Sequence, residues 1–177
     1  MSRFEEAFTI IRRLLRDGQV DFDGTYYRVE DCVVDPGPTR PGGPPLMLGS
    51  TSPRMMRIGL PHVDAWNVWW SEYGNTPDGF AAVRDRVEEA AAQAGRLPGE
   101  VAATAAVLVA LPGGTGRLMG DAYNARVRPV HGSPADISGH LEAMARAGAT
   151  HLQLVVDPIT KGSIEMLGEV LAALDRD

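Results

Sequence analysis

Apolar residues at Phe4, Ala7, Phe8, Ile11, Leu14 and Leu15 recur every three or four positions, with Arg3, Glu5, Glu6, Arg12, Arg13 and Arg16 between them. This spacing predicts an amphipathic helix over residues 3–17, with Gly18 in the place of a C-terminal cap. The period then shortens. Val20-Asp21-Phe22 and Thr25-Tyr26-Tyr27-Arg28-Val29 flank Asp23-Gly24, which predicts a hairpin turning tightly at the Asp-Gly pair. Residues 35–45 carry five prolines and predict a loop, because each proline removes a backbone donor and fixes φ.

Beyond the prolines, short apolar runs alternate with helical patterns. Leu46-Met47-Leu48 predicts a strand and residues 52–60 a helix, with Ser52 as N-cap and Pro53 in the first turn. Residues 64–70 predict a second strand, 77–94 a helix closed by Gly95, and 101–111 an uninterrupted apolar strand. Residues 112–132 are rich in Gly and Arg without a period. Ser133-Pro134-Ala135-Asp136 opens the next helix, which runs to Gly148, and 151–156 and 160–175 read as the last strand and helix. Four strand–helix units in succession imply parallel strands joined by helical crossovers, an α/β fold equivalent to half of a TIM-type β/α barrel. A helix, a hairpin and a Pro-rich loop precede them.

Composition narrows the function classes. The chain has 177 residues, 44% hydrophobic and 23% charged, with a single cysteine, Cys32. That suits one domain over 1–177, divided into a leading part (1–45) and the strand–helix units (46–177), and it is short of the roughly 250 residues of a complete β/α barrel. The apolar fraction excludes a disordered chain, and the lone cysteine excludes a disulfide scaffold. No apolar run is long enough for a membrane span, and a net charge of −6 without a basic cluster argues against nucleic acid and anionic membrane surfaces. A cytoplasmic protein is the expectation.

Three stretches carry a family resemblance: Arg3-Phe4-Glu5-Glu6-Ala7 through Val20-Asp21-Phe22-Asp23-Gly24; Pro41-Gly42-Gly43-Pro44-Pro45-Leu46-Met47-Leu48-Gly49-Ser50-Thr51-Ser52-Pro53 leading to Asp64-Ala65-Trp66-Asn67; and Gly132-Ser133-Pro134 with Ala147-Gly148-Ala149-Thr150-His151-Leu152. In order and spelling they resemble the C-terminal half of the bacterial luciferase-like monooxygenases. The resemblance implies a β/α barrel that uses FMN or the deazaflavin cofactor (coenzyme F420) for hydride or oxygen chemistry on a small organic substrate. It aligns this chain with the helix after the fourth barrel strand and with units five to eight. Completion by a second copy, as a homo-oligomer, or by a separate N-terminal half is therefore expected. The alternative is a non-catalytic remnant or subunit.

Gly49, Ser50, Thr51 and Ser52 form the first candidate site. They lie between the C-terminal end of a strand and the start of a helix, where free backbone N–H groups and the helix dipole favour an anion. The resemblance assigns them to the cofactor phosphate, although small polar residues also suit an ordinary turn. All three tryptophans fall within five positions. Trp66 reads as packing between strand and helix; Trp69 and Trp70, at the strand end, read as a pocket wall for a ring or substrate. Asn67 is a possible polar handle there.

His131, in the irregular segment after the third strand, is the candidate acid/base group. His62, His140 and His151 are scattered and form no metal set with Cys32. Arg117, Arg126 and Arg128 beside Gly113, Gly114 and Gly116 suit either solvated surface or closure over an anion. No nucleophile-elbow signature is present, so the sequence offers no hydrolase reading.

Overall fold

The structure, a computed structural model, describes residues 2–114 and 127–175. Helix α1 (Arg3–Asp17) begins at a capping box in which Ser2 Oγ accepts the Glu5 N–H and the Glu5 carboxylate accepts the Ser2 N–H. It ends at Gly18, whose φ of 77° is left-handed. Strands β1 (Gln19–Asp23) and β2 (Arg28–Val33) follow as an antiparallel hairpin.

The turn differs from the expected tight Asp-Gly pair. Asp23 pairs with Arg28, which leaves a four-residue loop, 24–27. The reason lies in α1, where the Glu6 carboxylate accepts the backbone N–H groups of Thr25, Tyr26 and Tyr27 at 3.0, 2.9 and 3.1 Å. A Cβ on Gly24 would collide with that carboxylate, so only glycine admits the approach. Burial works to raise the pKa of Glu6, but the three N–H donors outweigh it and hold the carboxyl below its ordinary value. The buried stripe of α1 is displaced accordingly: Glu6, expected on the polar face, is 1% exposed, whereas Ile11 is 53% exposed.

Residues 35–45 contain neither helix nor strand. Beyond them, β3 (Met47–Leu48), β4 (Ala65–Val68), β5 (Ala102–Ala110) and β6 (His151–Asp157) form one parallel sheet in that order. The intervening helices are α2 (Pro53–Gly59), α3 (Trp70–Tyr73), α4 (Pro77–Gln93) and α5 (Pro134–Arg146), and α6 (Lys161–Leu174) follows β6. Helix α2 packs on α4, α4 on α5 and α5 on α6, so the helix layer follows the strand order. The fold is α/β with four parallel strands in one sheet, as the alternation implies. Residues 104–109 of β5 are buried on both faces, which explains their unbroken apolar run.

The second strand of this sheet, β4, is shorter than expected. It stops at Val68, and Trp70 opens the single turn of α3. Strand β5 therefore outruns β4 and would leave open backbone groups on that side. Tyr73 Oη donates to the Ala106 carbonyl at 2.9 Å; Asn75 Nδ2 donates to the Leu108 carbonyl at 2.9 Å while its Oδ1 accepts the Leu108 N–H at 3.0 Å. Above them Val130 bridges to β5, accepting the Ala110 N–H at 2.8 Å. Because all four strands are parallel, the segments following them share one edge of the sheet.

Candidate functional site

Residues 49–52 leave β3 at that edge. Ser52 stands at the N-cap of α2 but its hydroxyl makes no capping bond; instead the Ser50 hydroxyl accepts the Ser52 N–H at 3.2 Å. Pro53 supplies no donor. Among the described residues, the backbone N–H groups of Ser50 and Thr51 have no partner. A Cβ on Gly49 would meet nothing within 4 Å, so the space above it is open. The Thr51 hydroxyl donates to the Glu72 carboxylate at 2.7 Å and ties this loop to the segment after β4.

That second segment carries the tryptophans. Trp66, as expected for a packing residue, is 1% exposed and stacks on Phe80 of α4 with ring centroids 6.1 Å apart. Trp70 is also 1% exposed and belongs to the hydrophobic core. Trp69 is half-buried, 5.7 Å from Trp70 ring to ring, and its buried Nε1 has no partner among the described residues. Asn67 accepts from Thr104 Oγ1 at 2.8 Å, so its carbonyl is engaged within the sheet. Burial pushes the Tyr73 hydroxyl well above its ordinary pKa and keeps it a neutral donor to the sheet.

His131 is exposed, directly after Val130 and ahead of α5. Its electrostatic partner is Asp136, whose carboxyl lies below its ordinary value through bonds from the Ser133 hydroxyl and N–H, with the His131 charge adding a smaller pull. None of the described contacts brings His131 to Gly49, Ser50, Thr51, Ser52, Trp69 or Trp70. Arg117, Arg126 and Gly116 lie outside the described residues; the backbone carbonyl of Arg128 accepts from Asn75 Nδ2 at 3.1 Å.

Three contributors escaped sequence reasoning. Glu72 gives no signal, being one acid in a short polar turn. Tyr73 reads as another aromatic of the cluster. Asn75 was masked by its neighbour Thr76, the N-cap of α4, although the left-handed φ of 57° at Asn75 is a conformation asparagine tolerates better than most residues.

A phosphate-bearing group fits residues 49–52 in two respects, the unpartnered N–H groups of Ser50 and Thr51 and the open space over Gly49. Glu72 limits the fit, because its carboxylate occupies the Thr51 hydroxyl and repels an anion. Among the described residues, no group of His, Cys, Asp and Glu side chains is arranged to hold a metal ion, and no helix is long and apolar enough to cross a membrane.

The sequence and the fold have counterparts among known proteins. Pyrimidine monooxygenase RutA of Cronobacter turicensis is 34% identical over 94 residues, which are 53% of this chain and 24% of that protein. An F420-dependent secondary alcohol dehydrogenase, solved with an F420–acetone adduct, superposes with a TM-score of 0.68 at 16% identity, covering 92% of this chain and 58% of its own. Riboflavin lyase (RcaE), solved with modified FMN and riboflavin, superposes with a TM-score of 0.65 at 16% identity, covering 89% of this chain and 48% of its own. The chain thus spans about a quarter of the length of the curated relative and about half of each solved structure. Residues 1–112 match the family model described as luciferase-like monooxygenase. This protein belongs to the luciferase-like monooxygenase family.

Proposed function

We propose that this chain is the cofactor-binding part of a flavin- or deazaflavin-dependent oxidoreductase, equivalent to the second half of a β/α barrel, that holds FMN or coenzyme F420 at the C-terminal edge of its sheet. One observation carries the reading: the loop at the end of β3 leaves the N–H groups of Ser50 and Thr51 without a partner among the described residues, next to Gly49, where an added Cβ would meet nothing within 4 Å. These two donors, with the Ser52 hydroxyl, bind the cofactor phosphate, and Gly49 admits it without a side-chain clash. Helix α2 has only seven residues, so the backbone donors of the loop contribute more than its dipole. Trp69 forms the wall beside a ring or apolar substrate, and Trp70 braces it from the core. When bound, the cofactor supplies the hydride or oxygen chemistry, and the chain's own residues bind, orient and shield.

Titration of the purified chain with FMN and with F420, read by quenching of tryptophan and cofactor fluorescence, tests this. Saturable binding that Gly49→Val abolishes is the expected result. Absence of binding for both up to about 1 mM overturns it.

A second reading, a subunit without turnover of its own, is supported by the two edge strands of the sheet, β3 and β6, whose outer sides have no strand partner among the described residues. Under it, cofactor binding would appear only when a second copy or a separate N-terminal half completes the sheet.

A further inference from the structure

The side of α1 that meets α2 changes character along its length. Phe4, Phe8, Arg12 and Arg16 succeed one another at four-residue intervals and so lie along one side of the helix. Phe4 and Phe8 stack with ring centroids 5.8 Å apart, and Phe8 stacks in turn on His62, just beyond α2, at 6.0 Å. The next two turns carry guanidinium groups. A third guanidinium, that of Arg96, reaches the same segment from beyond the end of α4, where its Nη1 donates to the Leu60 and Val63 carbonyls at 3.0 Å each. Burial is the first influence on the His62 imidazole, and the charges of Arg12, Arg16 and Arg96 follow; all four hold its pKa below the ordinary value.

Cations gathered in this way call for counter-charge. Among the described residues, Arg96 alone of the three has an acidic partner, Glu100 at 2.9 Å, and neither Arg12 nor Arg16 makes an ion pair. The nearby acids are otherwise disposed: Asp64 accepts the Leu46 N–H at 2.8 Å, and Asp17 is exposed. Arg13 faces the hairpin, donating to the Asp21 carbonyl at 3.1 Å. Arg12 is more than a solvated surface charge, because it is half-buried and its Nε is buried without an acceptor among the described residues. A buried charged donor without an acceptor is costly, and an anion seated there removes that cost together with the repulsion between the cations. We propose that Arg12, Arg16 and His62 form a binding site for a doubly charged tetrahedral oxyanion, of the phosphate or sulfate class, at the junction of α1 with the segment after α2. Two guanidinium groups without ion-pair partners match its charge, and their planar donor sets suit its oxygens. Binding draws a proton to His62, because the anion offsets the charges that oppose protonation. The site lies at the opposite end of α2 from loop 49–52, on the approach to β4, and the inference is independent of the cofactor reading.

The histidine signals of the purified chain, followed by NMR between about pH 4.5 and about pH 8, test this. Sulfate is the probe, because it keeps both charges over that range. In about 20 mM sulfate, His62 is expected to titrate at least about 0.5 pH unit higher than in chloride of matched ionic strength, while His151 does not move. Arg12→Gln is expected to act twice. In chloride the His62 midpoint rises, since a like charge is gone, and the further response to sulfate falls at least about threefold. Arg16→Gln, at an exposed position that leaves the fold intact, weakens sulfate binding about threefold. Gly49→Val leaves the response unchanged, which separates this site from the loop after β3. At about pH 7.5, amide signals of residues 60–63 compare inorganic phosphate with glycerol 3-phosphate, and the tighter of the two marks the free anion or the phosphorylated molecule as the source. Identical His62 titrations in chloride and sulfate overturn the proposal. So does a sulfate response that survives both arginine substitutions, or one that Gly49→Val removes.

Discussion

The hairpin loop 24–27 and the loop 49–52 present the same problem and solve it in opposite ways. Each holds backbone N–H groups that no neighbouring strand or helix pairs. In the hairpin, the Glu6 carboxylate accepts from Thr25, Tyr26 and Tyr27. After β3, the N–H groups of Ser50 and Thr51 have no partner among the described residues, and the nearby carboxylate, Glu72, takes a hydroxyl hydrogen rather than theirs. The edge of β5 belongs with the hairpin, since Asn75 fills it with a side-chain amide that reproduces a strand's hydrogen bonds. Where the chain supplies its own acceptor, the loop is a structural joint. Where it does not, the loop remains available to an external anion.

If this contrast is sound, substitutions on the closed side cost stability and those on the open side cost binding. The largest loss is expected for Asn75→Ala, which strands the buried N–H and carbonyl of Leu108 and should destabilise the fold by about 3 kcal/mol in denaturant unfolding. Glu6→Gln comes next, because its amide turns donors toward donors; the melting temperature should fall on the order of 5 °C.

The same residue sets a pH dependence. The Glu6 carboxyl is held below its ordinary 4.5, so its contribution is complete above that value and is lost as pH falls through the lower folded one. Amide signals of Thr25 to Tyr27 should lose exchange protection in acid below pH 4.5 in the wild type, with no such acid-dependent step in Glu6→Gln. On the open side, Gly49→Val should leave the melting temperature unchanged within about 1 °C while lowering cofactor affinity at least about tenfold in fluorescence titration. The smallest effect is expected for Glu72→Gln, which should raise affinity for a phosphate-bearing ligand about threefold at low ionic strength and less in salt. A stability loss in Gly49→Val comparable with that of Glu6→Gln would erase the distinction between the two loops.

Much of the fold was legible from local rules. The capping box of Ser133 and Asp136 and the left-handed Gly18 lie where sequence patterns put them, because each depends on residues within one turn. The alternation of strands and helices was legible for the same reason, as was the core position of Trp66. Errors came where a distant group intervened. Asp23-Gly24 would form a two-residue turn in isolation, but the Glu6 carboxylate, nineteen residues from Thr25, holds a longer one. Ile11 has the right spacing for the buried stripe of α1, yet that stripe rotated to bury Glu6. Trp70 looked like the end of a strand, but the chain turns at Trp69 so that Tyr73 and Asn75 reach β5. For the candidate site, residues 49–52 were identifiable by their place after a strand, whereas Glu72 became visible only through its bond to Thr51.

By itself, then, the sequence determined the α/β class, the order of the four strand–helix units, the caps at Gly18 of α1 and Ser133 of α5, and the family to which the chain belongs. Those properties follow from periodicity and from contacts close along the chain. Tertiary structure alone decided which open backbone groups are closed from within and which are left without a partner among the described residues. Hydrogen-bond satisfaction and exposure depend on groups far apart in sequence, and no local pattern records where those groups meet.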